Sequence, residues 1–159
     1  MSTTVVMKRV NREIQTLTDE SILVKQGKTD DSSIWVIVKI RGPDDSPFRN
    51  GVFLIKFTID LTTYPFKPPK AKMLSNIFHP NFSQSSICID ILQDQWSSAL
   101  TLFSVVKSLE NLLTDPNPSS PLNSDAADML MNDPCAYEEM NQLIVSENAV
   151  EQAYEFDYE

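Results

Sequence analysis

Apolar residues recur near the start of the chain at helical spacing. Val6, Val10, Ile14 and Leu17 fall on one face, while Lys8, Arg9 and Arg12 take wetter ones, and the pattern predicts a helix over 5–18. The periodicity then gives way to short runs rich in Val, Ile and Phe at 21–26, 34–41, 52–59 and 70–75, which predict four strands. Between the second and third lies RGPDDSPFRNG, whose Asn50-Gly51 suits a positive φ. Sequential strands with short connections predict an antiparallel meander. The stretch YPFKPPK, Tyr64 to Lys70, holds three prolines and cannot sustain a ladder. It predicts a stiff surface crossing, with Tyr64-Pro65 a candidate for the cis form.

From 76 to 100 no period holds. A segment of that length in a small domain is expected to be functional, and Ile77, Phe78, Ile87, Ile89, Ile91, Leu92 and Trp96 predict that it is packed. TLFSVVKSLENLL then reads as a helix, with Leu102, Val105, Val106, Leu109, Leu112 and Leu113 on its apolar face and Thr101 as its cap. DPNPSSP ends it. Asn123 or Ser124 can cap a short helix through Met131, and Asp133 with Pro134 opens a last one, with Tyr137, Met140 and Ile144 on one side. The expected architecture is α+β: an N-terminal helix, a four-stranded antiparallel meander, a long coil bearing Cys88, and C-terminal helices. One domain over 1–159 is expected, with a core at about 5–150 and an acidic tail, EQAYEFDYE, at 151–159.

Composition narrows the function classes. No apolar run approaches the ~20 residues of a membrane span, and MSTTVVMKRVNREI lacks a secretory stretch, so a soluble cytoplasmic or nuclear protein with no membrane partner is expected. Cys88 and Cys135 belong to no paired spacing, which argues against a disulfide framework. One His and two Cys cannot supply the usual zinc ligands, so neither a metal nor a cofactor is expected. The net charge of −9 is unevenly spread: residues 1–80 carry 12 Lys/Arg against 8 acids, and residues 81–159 carry one Lys against 14. Nucleic acid is a poor partner for such a chain. Lys8, Arg9 and Arg12 suit an acidic protein surface instead.

The segment HPNFSQSSICID holds the chain's single histidine and one of its cysteines. Three readings of Cys88 stand side by side. It can be a small buried hydrophobe among Ile87, Ile89 and Ile91, with His79 structural and Asn81 making a turn. It can be a hydrolase nucleophile, for which His79 is the one candidate base, although Pro80 commits that histidine to a turn. It can also carry a thioester. Thiol–thioester exchange is near neutral in energy and needs no dedicated base. Amine attack on the thioester creates an oxyanion, which an amide such as Asn81 stabilises, and a carboxylate such as Asp90 can orient the amine. A strong base beside a thioester would invite water.

His79-Pro80-Asn81, then Ser86-Ile87-Cys88-Ile89-Asp90-Ile91-Leu92, then Gln95-Trp96-Ser97-Ser98-Ala99-Leu100-Thr101 resemble the catalytic region of ubiquitin-conjugating enzymes. Lys8-Arg9-Val10, Gly42-Pro43 with Ser46-Pro47-Phe48 and Gly51-Val52-Phe53, Tyr64-Pro65-Phe66-Lys67-Pro68-Pro69, and Asp115-Pro116-Asn117-Pro118 with Pro121-Leu122-Asn123 extend the resemblance over residues 6–150. It implies that Cys88 accepts ubiquitin as a thioester from an activating enzyme and passes it to a lysine of a protein substrate, usually with a ligase. Asn81 would support the oxyanion or hold the active-site loop, His79 would be architectural, and Asp90 would lie near the incoming lysine. Lys8, Arg9 and Arg12 would meet the activating enzyme, and Phe66, Ser98 and Ala99 the ligases. The chain would act as a monomer. Three features depart from the family pattern: the Asn81–Cys88 spacing is one residue shorter and lacks a glycine, Ser120 stands at an acidic gate position, and Ser98 replaces a frequent proline. Ser120, beside the active site, keeps hydrogen bonding without charge and is a candidate phosphorylation site. The alternatives are a non-catalytic ubiquitin- or ligase-binding variant and a conjugating enzyme for a ubiquitin-like modifier.

Overall fold

The amphipathic stripe at the N-terminus forms helix α1, Thr3–Asp19, in a computed structural model that describes residues 2–83 and 86–148. Ser2 caps it by accepting from the Val5 N–H at 3.4 Å, which starts the helix earlier than the apolar pattern indicates. Strands β1 (Leu23–Asp30), β2 (Ser33–Arg41), β3 (Val52–Asp60) and β4 (Lys70–Met73) follow, and pair in that order as an antiparallel meander. A small hairpin comes next, β5 (Phe82–Ser83) with β6 (Ser86–Ile87), and then a 3-10 turn at Asp90–Leu92. Helices α2 (Leu102–Thr114), α3 (Ser124–Asn132) and α4 (Pro134–Glu147) complete the described chain. Residues 149 and 150 and the acidic tail expected at 151–159 lie outside the described residues.

Alternation on the central strands decides where the core sits. Ile34, Val36, Val38 and Ile40 of β2 and Phe53, Ile55, Phe57 and Ile59 of β3 are buried, packed in one cluster with Val6, Val10 and Leu17 of α1 and Leu102, Val106 and Leu109 of α2. Each such side chain contributes about 1.5–3 kcal/mol on burial. The other face of the sheet carries only a small cluster, Ile37 and Leu54 beneath Val24, Trp35 and Leu74. The coil from 76 to 100 is packed as expected, with Ile77, Phe78, Ile87, Ile89, Ile91, Leu92 and Trp96 all against the main core.

The strand boundaries differ from expectation at the sheet edges. The first strand starts at Leu23 and continues through the polar residues 25–30. As an edge strand it needs only one partner's main chain, so it carries little apolar signal. The hairpin then closes at Asp30, whose Oδ1 accepts from the N–H and hydroxyl of Ser32, both at 2.8 Å. The fourth strand ends at Met73, because the Leu54 N–H is taken by the Ser75 hydroxyl at 2.8 Å and no longer by a strand carbonyl. The β5–β6 hairpin carries no turn signature that its sequence could announce. On α4, Tyr137 is buried as expected but Met140 is exposed, and the buried neighbour is Asn141, which accepts the Phe78 N–H at 3.2 Å.

A buried carboxylate joins three elements. Glu13 Oε1 accepts from the Leu102 N–H at 2.7 Å, satisfying an orphan donor at the start of α2. Both of its oxygens lie 2.8 Å from the Tyr64 hydroxyl, and Oε2 accepts from Arg9 Nε at 3.1 Å. Tyr64-Pro65 is cis. Thr101 and Ser104 form a capping box on α2, Asn123 caps α3, and Asp133 with Pro134 opens α4.

Two glycines differ in what a methyl group would meet. A Cβ on Gly42 would lie 1.7 Å from the Phe48 carbonyl oxygen, a backbone atom, whereas on Gly27 it would meet the Trp35 indole at 2.5 Å, a side chain able to shift. Asn50 takes the turn's positive φ of 66°. Gly42→Ala is therefore expected to cost more than about 3 kcal/mol and Gly27→Ala less than half of that, in urea denaturation of both variants. Equal losses would contradict this packing.

Candidate active site

The short hairpin brings the two ends of HPNFSQSSIC together. Cys88 follows β6, and its N–H donates to the Asn81 carbonyl at 2.8 Å. The thiol is half-buried and opens into a cleft of about 270 Å3. Ile89, Asp90 and Ile91 line one side of it, and Ser108, Asn111 and Leu112 of α2 line the other, with Asp115 and Asn117 beyond. Asp90 thus shares the cleft with Cys88 and is exposed. Two aspartates along one cleft give it a negative potential that suits a cationic amine.

His79 is fully buried. Its Nδ1 accepts from the Asn81 N–H at 3.0 Å, so Nε2 carries the proton and donates to the Leu112 carbonyl at 2.7 Å. The rings of Phe48 and Phe82 lie against it, with centroids 5.6 and 4.9 Å away. Burial pushes its pKa down to about 4, against a smaller upward pull from the Leu112 carbonyl. With both ring nitrogens engaged, His79 forms no base pair with the Cys88 sulfur, and the hydrolase reading loses its base.

Asn81 is equally constrained. Its Oδ1 accepts from the Asn117 N–H and its Nδ2 donates to the Asn117 carbonyl, each at 2.9 Å. The carboxamide therefore clamps the segment after α2 and spends both polar ends on that backbone. Pro80 adds to the knot, its carbonyl accepting from Leu122 at 2.8 Å and Asn123 at 3.0 Å. Ser120 is exposed and is not among the residues lining the cleft.

The remaining candidates sit on a second surface. Phe66 is 66% exposed, and Ser98 and Ala99 are exposed. Trp96 Nε1 donates to the Pro65 carbonyl at 2.9 Å, fixing these two loops side by side. Lys8 and Arg12 project from α1 into solvent, whereas Arg9 turns inward to Glu13 and donates to the Leu100 carbonyl at 2.7 Å, with its guanidinium 5.5 Å from the Tyr64 ring centre. Sequence reasoning missed Glu13, although an acid at helical spacing from Val6, Val10 and Leu17 was the available signal. It also missed Ser108, Asn111 and Leu112, which nothing local associates with the cleft.

The buried histidine sets a pH dependence. Unfolded, it binds a proton below about 6.5; folded, it stays neutral to about 4. Its stabilising contribution is complete above 6.5 and is lost as pH falls through that window, up to about 3 kcal/mol. The stability gap between wild type and His79→Gln, from urea titrations, should shrink between pH 7 and 4.5. A gap independent of pH would contradict this burial.

The family model for ubiquitin-conjugating enzymes matches residues 8–145. Among solved structures, the chain is similar to the E2 domain of a Toxoplasma gondii ubiquitin conjugating enzyme, at 28% identity and a TM-score of 0.77, covering 89% of this chain and 97% of that one. It is also similar to a Plasmodium yoelii protein assigned to ubiquitin conjugating enzymes, at 26% identity and 0.75, covering 89% and 93%. Its meander, its helices and its matched span together make the chain a member of the ubiquitin-conjugating enzyme family.

Proposed function

We propose that the chain is an active ubiquitin-conjugating enzyme with Cys88 as its acyl carrier. The observation that carries this reading is a half-buried thiol at the rim of an acidic cleft, with the neighbouring histidine fully occupied elsewhere. The Cys88 thiolate attacks the thioester carbonyl of ubiquitin held on the activating enzyme. A new C–S bond forms and the activating enzyme's thiolate departs. The exchange is near neutral because one thioester replaces another; ATP is consumed upstream. A lysine amine then attacks the new thioester, an amide forms, the Cys88 thiolate leaves, and the amine's proton is released.

The cleft's carboxylates orient the lysine. Asp90 is the first candidate for that contact, with Asp115 at the far side. Asn81 serves this chemistry as a clamp on the loop rather than as a direct donor, in keeping with its hydrogen bonds to Asn117. Lys8 and Arg12 meet the activating enzyme, with Arg9 bracing the helix behind them. Phe66, Ser98 and Ala99 form the ligase-docking surface. Ser120 lies outside the cleft and would influence it only after modification. The protein works as a single monomeric domain in a thiol-reducing compartment, the cytoplasm or nucleus.

A second reading is favoured by one observation: the Asn81 carboxamide is already engaged by the Asn117 backbone. A member of this kind would bind ubiquitin or ligases without transferring. Incubation with activating enzyme, ATP and ubiquitin separates the readings. Active conjugation predicts an adduct on a non-reducing gel that disappears with thiol and discharges to free lysine, and Cys88→Ser should leave a stable oxyester or nothing. No adduct would overturn the proposal, and an adduct that neither lysine nor a ligase discharges would favour the second reading. Parallel reactions with ubiquitin-like modifiers and their activating enzymes identify the cargo.

A further inference from the structure

Beside Phe78, the helices α3 and α4 border an open groove of about 600 Å3 with an apolar floor of Phe78, Met129, Ala136 and Met140. Its rim is acidic: Asp125 and Asp128 come from α3 and Asp133 from the junction with α4. The floor continues along α4. Ala136, Met140 and Leu143 follow at i, i+4 and i+7 on one stripe, where Met140 is 38% and Leu143 54% exposed. An apolar stripe of this kind is ordinarily covered by a neighbouring element. Here the helix's inward face is already defined by Tyr137 and Asn141.

We infer that this groove is a docking site for a cationic amphipathic helix of a partner protein. Flexible, polarizable methionines fit varied apolar anchors, and a stripe at helical spacing matches the stripe of a helix laid alongside it. The rim decides the occupant's charge. A second copy docking by the same face would set acidic rim against acidic rim, and the chain's own residues 151–159 carry only acidic charges, so both are disfavoured. A helix with lysines flanking large apolar anchors satisfies floor and rim together. The groove shares no lining residue with the Cys88 cleft, so this inference stands independently of the transfer chemistry.

The test uses the full chain and a fluorescein-labelled Leu/Lys peptide with its leucines at helical spacing. A Leu/Glu counterpart and a Leu/Lys peptide of the same composition in alternating order serve as controls. Anisotropy should show binding of the first peptide only. The double variant Asp125→Asn/Asp128→Asn and the single variant Met140→Ser should each weaken it by about tenfold. Asp44→Asn/Asp45→Asn, exposed acids between β2 and β3, removes equal charge elsewhere and should leave binding unchanged. On the unaltered protein, methionine methyl NMR should show the Met129 and Met140 signals shifting with peptide, while Met7 and Met73 stay fixed. Absent binding, an equal loss in the Asp44/Asp45 control, or shifts outside the groove would overturn the inference. So would Met129 and Met140 shifts that follow protein concentration alone, which would identify a second copy as the occupant.

Discussion

Three consecutive residues, His79, Pro80 and Asn81, tie together most of what surrounds the thiol. Their polar atoms reach α2 through Leu112, the following segment through Asn117, the approach to α3 through Leu122 and Asn123, and Cys88 itself through its N–H. His79 and Asn81 are themselves buried, where an unpaired donor or acceptor costs about 1–3 kcal/mol. The knot is therefore all or nothing: loosening one strand of it leaves partners unsatisfied on another. That is why a coil without periodicity can hold the Cys88 backbone in one place. It also explains the neutral histidine, since a protonated ring could not accept from the Asn81 N–H.

A second buried polar centre organises the opposite end. Glu13 joins α1, the proline-rich loop and the first turn of α2, and Arg9 spans from it to Leu100. The loop bearing Phe66 and the loop bearing Ser98 and Ala99 are thereby fixed to the same helix that exposes Lys8 and Arg12. Activating-enzyme and ligase surfaces, as proposed, share one rigid frame. The charge division of the sequence follows the order of elements, with most of the basic side chains on α1, the four-stranded sheet and its loops, and acidic ones along the cleft and on α3 and α4.

Much of this was legible in the residues. The helix stripe of Val6, Val10, Ile14 and Leu17, the central strands and the caps at Thr101 and Asp133 follow from local rules, and the structure agrees with them. The edges were harder: β1 runs through polar residues because main-chain pairing alone sustains it, and β5–β6 exists because the knot closes around it. The motif around Cys88 drew attention to a segment that lines a cleft, but the far wall of that cleft did not show, because Ser108, Asn111 and Leu112 reach it only through the packing of α2. Met140 fitted an inward face by spacing and lies outside, since Asn141 takes the buried position to bond Phe78. Periodicity registers volume and polarity, and it cannot see a specific hydrogen bond drawing an amide inward.

The account rests on which sulfur takes the cargo. The chain has two thiols, and Cys135 is the more exposed, standing at the start of α4 away from the cleft. Exposure alone would favour Cys135, while the cleft and its carboxylates favour Cys88. Peptide-mapping mass spectrometry of the ubiquitin-charged wild-type chain, digested at low pH to preserve thioesters, decides between them. The account predicts the ubiquitin C-terminus on the peptide containing Cys88 and an unmodified Cys135. An adduct on Cys135, or one joined through a lysine amide with both thiols free, would contradict it.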